Sequence, residues 1–214
     1  MGRGSSGSGG NLGKGSGGVN PANIKNERDL VSERERKQGE VDDVLSVARS
    51  IHDEFGVDVG QFTLADIGGK DSNTMAFSDG ENVGFNSKYF DGDKANGAYD
   101  ECVSSGFHPS RGGKSAIEAI TAHEDGHILA EKVAKKLGIS GADSIDSASK
   151  VVVDRATKSM KYKGSKQLAK KISGYAMHSN AECLAEAFSD VYCNGGKAKA
   201  ESKAVVSVIK DILK

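Results

Sequence analysis

The chain has 214 residues with 36% hydrophobic residues and 28 glycines, which indicates one domain or one domain with a tail. Its formal net charge of −1 provides no overall field favouring nucleic acid or an anionic membrane, and no apolar run approaches the roughly 20 residues of a membrane span. The N-terminus lacks the apolar core of a secretory signal, and three cysteines without paired spacing favour free thiols, so we expect a cytoplasmic protein without a membrane partner.

The first 38 residues have the composition of a flexible tail or linker. Residues 1–18 contain nine glycines and four serines, and residues 19–38 are highly charged. Such a composition cannot bury a core and behaves as a flexible chain. We interpret residues 1–38 as a tail or linker and residues 39–214 as the domain. Residues 1–18 would be a tether to a larger protein, with an expression-tag remnant as the alternative, and residues 19–38 a loose helix or an ordered approach to the domain.

The first half of the domain has the patterns of one helix followed by strands. Apolar residues at helical spacing from about Gly39 to Phe55 predict a helix that Gly56 ends. Alternating apolar residues predict three strands, at residues 57–64, 74–77 and 82–90. The turn at residues 78–81 would join the last two strands in a hairpin. Residues 91–103 are expected to hold one short helix, followed by an irregular loop.

The second half is predicted to be helical. A helix is expected from about Ser115, whose spacing to Glu118 resembles a capping box, to Leu137, where Gly138 stops it. Further helices are predicted at residues 143–160, 166–172, 180–193 and 198–213. Strands that precede a run of helices favour an α+β fold.

The sequence Ala122-His123-Glu124-Asp125-Gly126-His127 lies within the helix predicted at residues 115–137. A helix turns once per about 3.6 residues, so His123 and His127 project from one face with Glu124 beside them. This pattern directs two imidazoles at one metal ion and a carboxylate towards its open position. Glutamate in that position is typical of a general base acting on a zinc-activated water. Because Gly126 costs about 1 kcal/mol relative to alanine in a helix, we expect another backbone to pack closely against it.

A zinc site that hydrolyses bonds needs a third protein ligand. Glu182 and Glu186 lie one turn apart on an otherwise apolar predicted helix, where two acids are costly unless they are paired or bind a metal. One could bind zinc while the other accepts a proton from a ligand histidine, unless both lie on a solvated face. The remaining histidines have no second ligand at helical spacing; His52 is expected on the surface, and His108 and His178 in loops.

The spacing Tyr175-x6-Glu182-x3-Glu186, with Asn180, Ala185 and Phe188, resembles the C-terminal motif of gluzincin metallopeptidases. It is similar in particular to the catalytic domain of anthrax-lethal-factor-like proteins and to zincin domains encoded in phage head (minor capsid) protein genes. The resemblance implies a zincin-like fold, with a small mixed sheet and a hairpin packed on the active-site helix and a helical C-terminal half. It also implies Zn²⁺ held by His123, His127 and Glu182, an oxyanion stabilised by Tyr175, and support from Glu186 and Asn180.

Two further stretches resemble elements of the same family. Residues 82–90 are similar to the edge strand that lies along a bound peptide, which implies substrate contacts from Val83, Gly84, Phe85 and Asn86. Residues 106–109 are similar to the loop before the active-site helix. Two departures are Cys183-Leu184, where bulky aromatic residues are usual, and Asp125, an extra acid that could tune the charge of the metal.

These patterns together predict a zinc-dependent endopeptidase acting on a peptide or protein, with Glu124 as the general base. The alternative is a zinc-binding structural or interaction domain without proteolytic activity, associated with a phage capsid or another assembly through the tail, and hence virion-associated. Arg155 and six lysines between residues 158 and 171 form either a basic wall beside the cleft or a solvated face. Nucleic acid is not expected as a partner, since only Tyr162 could stack on bases there.

Overall fold

The structure, a computed structural model, describes residues 37–67 and 73–214, so most of the predicted tail at residues 1–38 lies outside the described residues. The elements in chain order are α1 (Gln38–Phe55), β1 (Phe62–Ala65), β2 (Ala76–Ser78), β3 (Val83–Asn86), α2 (Gly92–Ser104), α3 (Ala116–Leu137), α4 (Ser144–Ser159), α5 (Ser165–Ile172), α6 (Asn180–Asn194) and α7 (Ala200–Leu213). Short 3₁₀ turns occur at Tyr175–Met177 and Gly195–Lys197. This is an α+β fold, mostly helical with a small three-stranded sheet.

The sheet has the strand order β1-β3-β2. β3 pairs in parallel with β1 and antiparallel with β2, which confirms the predicted hairpin. The prediction that residues 82–90 form an edge strand is wrong, because Val83–Asn86 is hydrogen-bonded on both sides. The strand is also shorter than expected, since the carbonyl of Asn86 accepts the amides of Tyr89 and Phe90 in a turn. Among the described strands, β2 forms the edge that contacts α3.

Gly84 in β3 makes room for an aromatic ring. Its cross-strand partner is Phe77, and a Cβ atom at Gly84 would lie 1.9 Å from a carbon of the Phe77 ring. Phe77 therefore covers the glycine, and a larger residue at position 84 would push the ring away from the sheet.

Helix α2 is longer than the short helix expected. Asp91 caps its N-terminus by accepting the amide of Lys94, and Ala95, Tyr99 and Cys102 bury one face. The glycines and aspartates of this segment made the apolar stripe too sparse to predict its length.

Helix α3 contributes its first turns to one apolar cluster and its later turns to another, and it is buried along most of its length. The expected capping box is present, with the Ser115 hydroxyl accepting the amide of Glu118 at 3.0 Å and the Glu118 carboxylate accepting the amide of Ser115 at 3.0 Å. Gly138 ends the helix in the left-handed conformation with φ of 68°. These caps, which satisfy the free backbone groups of the helix ends, hold α3 in place for the motif that it carries.

Helices α3 and α6 cross in close contact at Gly126. A Cβ atom at Gly126 would lie 2.7 Å from the Cα of Ala185, which confirms the expected close approach of another backbone. Nearer the start of α3, the hydroxyl of Ser189 donates to the carbonyl of Ala119 at 2.9 Å. The contact of Ala119 is with Ser189 and that of Gly126 is with Ala185, so residue numbers increase along α3 as they decrease along α6. The two helices therefore run antiparallel. This register brings the H-E-x-x-H turn opposite the two glutamates of α6.

No helix within the described ranges is long and apolar enough to cross a membrane.

Candidate metal centre

His123, His127 and Glu182 form a buried cluster between α3 and α6. One ligand atom from each lies within 4.8 Å of the others. Nε2 of His123 lies 3.1 Å from Oε2 of Glu182, and Nε2 of His127 lies 3.8 Å from the same oxygen. Zinc–ligand bonds of about 2.0–2.2 Å at tetrahedral angles separate ligand atoms by about 3.4 Å. The two measured distances lie on either side of this value.

The cluster contains buried polar atoms that lack hydrogen bonds. Nε2 of His127, Oε2 of Glu182 and Oε2 of Glu124 are all inaccessible and have no hydrogen-bond partner within the described part of the chain. The 3.1 Å contact of Glu182 with His123 lacks the alignment of a hydrogen bond. An unpaired buried polar atom costs about 1–3 kcal/mol, which a bound cation would offset. Two imidazole nitrogens and one carboxylate oxygen are a donor set that suits zinc.

The surroundings of the cluster shift the pKa values of its two histidines in opposite directions and bring the pKa of Glu124 to about 7. Burial lowers the pKa of His127 from 6.5 to about 4, so this imidazole is uncharged at pH 7, as metal binding requires. Burial raises the pKa of Glu124 from 4.5 to about 7, and the charges of Glu182 and Glu186 raise it further against the opposing effect of His123. Burial alone would lower the pKa of His123, but its contacts with Glu182 and Glu186 raise it well above 6.5.

Glu186 is hydrogen-bonded to His123 of the cluster and to two residues beside it. Its Oε1 accepts hydrogen bonds from Nδ1 of His123 at 2.8 Å and Nδ1 of His108 at 2.9 Å, and its Oε2 accepts the hydroxyl of Ser173 at 2.7 Å. Glu182 and Glu186 are 6% and 1% exposed, which rules out the alternative of a solvated face. Glu186 is thus occupied by donors from the protein, while an oxygen of Glu182 faces the two histidines.

Tyr175 lies against the cluster in the 3₁₀ turn before α6. Its ring stacks on His123 with centroids 5.7 Å apart and an interplanar angle of 29°, and it is 5% exposed. Two backbone hydrogen bonds tie this turn to the loop before α3, from the amide of Gly174 to Gly106 and from the amide of Tyr175 to Phe107. The tyrosine is therefore brought to the same cleft as the histidines and Glu124.

Asn180 and Asp125 lie away from the cluster's contacts. In the described ranges no hydrogen bond joins Asn180 to the cluster, and the cap of α6 is instead Ser179, whose hydroxyl accepts the amide of Glu182 at 3.0 Å. Asp125 projects about 200° around α3 from His123. Both carboxylate oxygens of Asp125 are buried and unpaired among the described residues, and Asp125 is 0% exposed.

The other histidines lie in different surroundings. His52 is exposed and pairs with Asp58 at 2.8 Å, as expected for a surface residue. His178 is exposed and lines a cavity beside the cluster, without joining it. His108 belongs to the site through its hydrogen bond to Glu186, a role that no residue spacing in the sequence indicates.

Two neighbouring cavities lie beside the cluster. A cavity of about 40 Å³ is lined by His123, Glu124, Tyr175 and His108, together with Ala76 of the edge strand. A larger cavity of about 670 Å³ shares three lining residues with it, which are Asn73, Met75 and Cys102. The predicted substrate residues Val83–Asn86 are buried in the sheet and line neither cavity. The part of the sheet that lines the small cavity is instead β2, together with the residues before it.

The Lys-rich segment is solvated. Arg155 and all six lysines between residues 158 and 171 are exposed, and α5 buries only its apolar stripe. This arrangement fits the solvated-face interpretation of the segment.

Residues missed from the sequence are His108, Ser173 and Ser179, each of which fixes a glutamate of α6. Only Ser179 carried a signal, because a serine three residues before Glu182 at a helix start has the pattern of an N-cap.

Comparisons of the chain with protein-family models, with curated proteins and with solved structures find no significant match.

Proposed function

We propose that the chain is a zinc-dependent endopeptidase of gluzincin type with a zincin-like fold. The observation that carries the proposal is the group of unpaired buried atoms on His127, Glu182 and Glu124. Other buried polar atoms of the described chain also lack partners, but these three lie on two helices and come together at the group of ligand atoms that could hold a metal ion. Such a grouping is what a ligand or catalysis requires. The gluzincin resemblance of the helix motif and of the Tyr175–Glu186 segment agrees with this geometry.

His123, His127 and Glu182 would hold the ion. When bound, zinc lowers the pKa of a water molecule to about 7 and polarises a carbonyl oxygen. Glu124 would accept the proton of that water and pass it to the leaving amine. Its pKa of about 7 in the protein alone suits a group that must both take up and release a proton at neutral pH. Tyr175 would donate its hydroxyl proton in a hydrogen bond to the developing oxyanion.

A peptide substrate is supported by the cleft. Among the strands that the structure describes, β2 is the edge strand beside α3, and an extended peptide can add to such an edge through main-chain hydrogen bonds. Met75, Tyr89 and Phe107 line the larger cavity and give it an apolar surface for a substrate side chain. We therefore propose that substrate contacts come from residues 73–78 in place of Val83–Asn86.

The alternative function is a zinc-binding structural or interaction domain, associated with a phage capsid or another assembly and without proteolytic activity. The observation in its favour is the depth of the cluster, since His123, Glu124 and His127 are each less than 10% exposed and the adjoining cavity is only about 40 Å³. That volume holds very few water molecules. A purely structural ion would leave Glu124 without a role.

The test measures bound zinc and cleavage of a peptide library by the wild type, by Glu124→Gln and by Glu131→Gln. Glu131 is the matched control, because it lies on the same helix outside the cluster. We expect zinc in all three proteins, and cleavage that Glu124→Gln reduces by about 10²–10⁴-fold while Glu131→Gln leaves it unchanged. Zinc without cleavage by any protein would favour the structural alternative, and absence of zinc from the wild type would refute both.

A further inference from the structure

His108 lies in a loop that is built into the wall of the site. The amide of Phe107 donates to the carbonyl of Cys102 at 2.8 Å, which anchors the loop to the end of α2. Gly174 donates its amide to the carbonyl of Gly106 at 2.8 Å, and a Cβ atom at Gly174 would lie 3.2 Å from that oxygen. The loop and the turn that carries Tyr175 are thus fixed to each other.

The ring of His108 is held in one orientation. It stacks on Tyr99 with centroids 5.2 Å apart and an interplanar angle of 7°. The ring is nearly perpendicular to that of Tyr175, with centroids 5.4 Å apart, and to that of His123, with centroids 6.3 Å apart. The side chain is 14% exposed, and it lines the small cavity beside Glu124. A ring fixed in this way directs its Nδ1 at Glu186 without further loss of rotamer freedom.

Both imidazoles at Glu186 must donate to it. Oε1 of Glu186 lies within hydrogen-bond distance of both ring nitrogens while its Oε2 accepts the hydroxyl of Ser173, and three such contacts favour the ionised carboxylate. An ionised carboxylate oxygen only accepts, so Nδ1 of His108 and Nδ1 of His123 both carry hydrogen. For a neutral His123 this leaves the lone pair on Nε2, the atom that lies 3.1 Å from Glu182.

We propose that His108 is a positioning residue of the metal centre, which holds Glu186 so that Glu186 orients His123 towards the ion. His108 and His123 share a single oxygen of Glu186, so loss of one donor frees that oxygen to move towards the other or away from it. Partners that orient a ligand histidine typically change metal affinity or activity by about 10–100-fold when they are removed. The inference rests on the proposed zinc binding, and it does not require proteolysis.

Two substitutions separate the hydrogen bond from the packing of the ring. His108→Asn keeps an N–H donor close to the position of Nδ1 and loses the stack on Tyr99, while His108→Phe keeps an aromatic ring and loses the donor. Zinc affinity is measured by competition with a chelator, and the ligand geometry by the visible absorption spectrum of the Co²⁺-substituted protein. Thermal unfolding of the metal-free proteins establishes that each variant folds.

We expect His108→Phe to weaken zinc binding by about 10–100-fold with an altered Co²⁺ spectrum, and His108→Asn to remain within about threefold of the wild type. The inference is overturned if His108→Phe binds zinc as the wild type does, or if His108→Asn loses more affinity than His108→Phe. If His108→Phe does not fold, the double variant His108→Phe/Glu186→Gln also removes the buried charge of Glu186. Zinc affinity equal to that of the wild type in the double variant overturns the inference too. Failure of the wild type to bind zinc would instead refute the proposed function, and this inference with it.

Discussion

Replacement of Gly126 by alanine should force apart the two helices that form the metal centre. The new Cβ atom would lie 2.7 Å from the Cα of Ala185, 3.2 Å from its Cβ and 3.4 Å from its carbonyl oxygen. The closest of these atoms belongs to the backbone, so no side-chain rotation relieves the contact. Restoring an ordinary separation of at least 3.4 Å requires α6 to move by about 0.7 Å.

The energetic effect is a balance of two terms. Overpacking of a core costs about 1–3 kcal/mol, and contact with backbone places Gly126→Ala near the upper value. Alanine in a helix gains about 1 kcal/mol over glycine, which leaves a net loss of about 2 kcal/mol. For a domain of this size we expect the melting temperature to fall by about 4–8 °C. A displacement of about 0.7 Å also exceeds the tolerance of about 0.2 Å in metal–ligand distances, so zinc affinity should fall at least tenfold.

Gly97→Ala provides the matched control, because Gly97 lies within α2 and a Cβ atom there would meet nothing within 4 Å. It should gain about 1 kcal/mol and leave zinc affinity unchanged. The two variants are compared by thermal unfolding of the metal-free proteins and by zinc titration against a chelator. If Gly126→Ala is as stable as Gly97→Ala and binds zinc as the wild type does, the close crossing of α3 and α6 does not govern the site.

Three other predictions concern the cluster and its helix. Zinc at 100 times its dissociation constant should stabilise the protein by about 2.7 kcal/mol, which raises the melting temperature by about 5–11 °C. Glu182→Ala should abolish this rise, and an unchanged melting temperature of the wild type would speak against zinc binding. Ser179→Ala should cost about 1 kcal/mol in urea unfolding and weaken zinc binding, because it removes the acceptor for the amide of Glu182; full zinc affinity would mean that the cap does not position Glu182. Burial, and then the charge of Glu124, raise the pKa of Asp125 well above 3.8, so the folded state keeps a proton that the unfolded chain releases above that pH. The free energy of unfolding therefore falls as pH rises above 3.8, by up to about 1.4 kcal/mol per pH unit. In urea unfolding, Asp125→Asn should be as stable as the wild type at about pH 3 and more stable at about pH 7. A gain in stability that is the same at both pH values would contradict this.

The elements that could be predicted from sequence are those specified locally. The capping box at Ser115, the left-handed glycine at Gly138 and the amphipathic stripes gave the helices of the second half to within about two residues. The order of the strands could not be predicted, because the parallel pairing of Phe62 with Val83 joins residues that are distant in the chain. Local alternation reports that a strand exists but not whether it lies at an edge or in the centre.

The same distinction applies to the site. The spacing of His123 and His127 reports a shared face because one helix determines both positions. That this face lies opposite Glu182 depends on the close packing of the two helices at Gly126. In the sequence, the glycine indicated a close approach but not its partner. His108 could not be found, since it lies 78 residues from Glu186 and belongs to a loop without a periodic pattern. Its partner became evident only through tertiary contact.

The unpaired polar atoms of the cluster have a consequence for how the protein can be changed. His127, Glu182 and Glu124 each keep a buried atom without a hydrogen bond in the described chain, at a cost of about 1–3 kcal/mol apiece. Apolar residues of similar size at these positions would be expected to make the metal-free domain more stable and unable to bind an ion. Selection for thermal stability alone would therefore remove this cluster early, a stability–function trade-off located at the crossing of two helices.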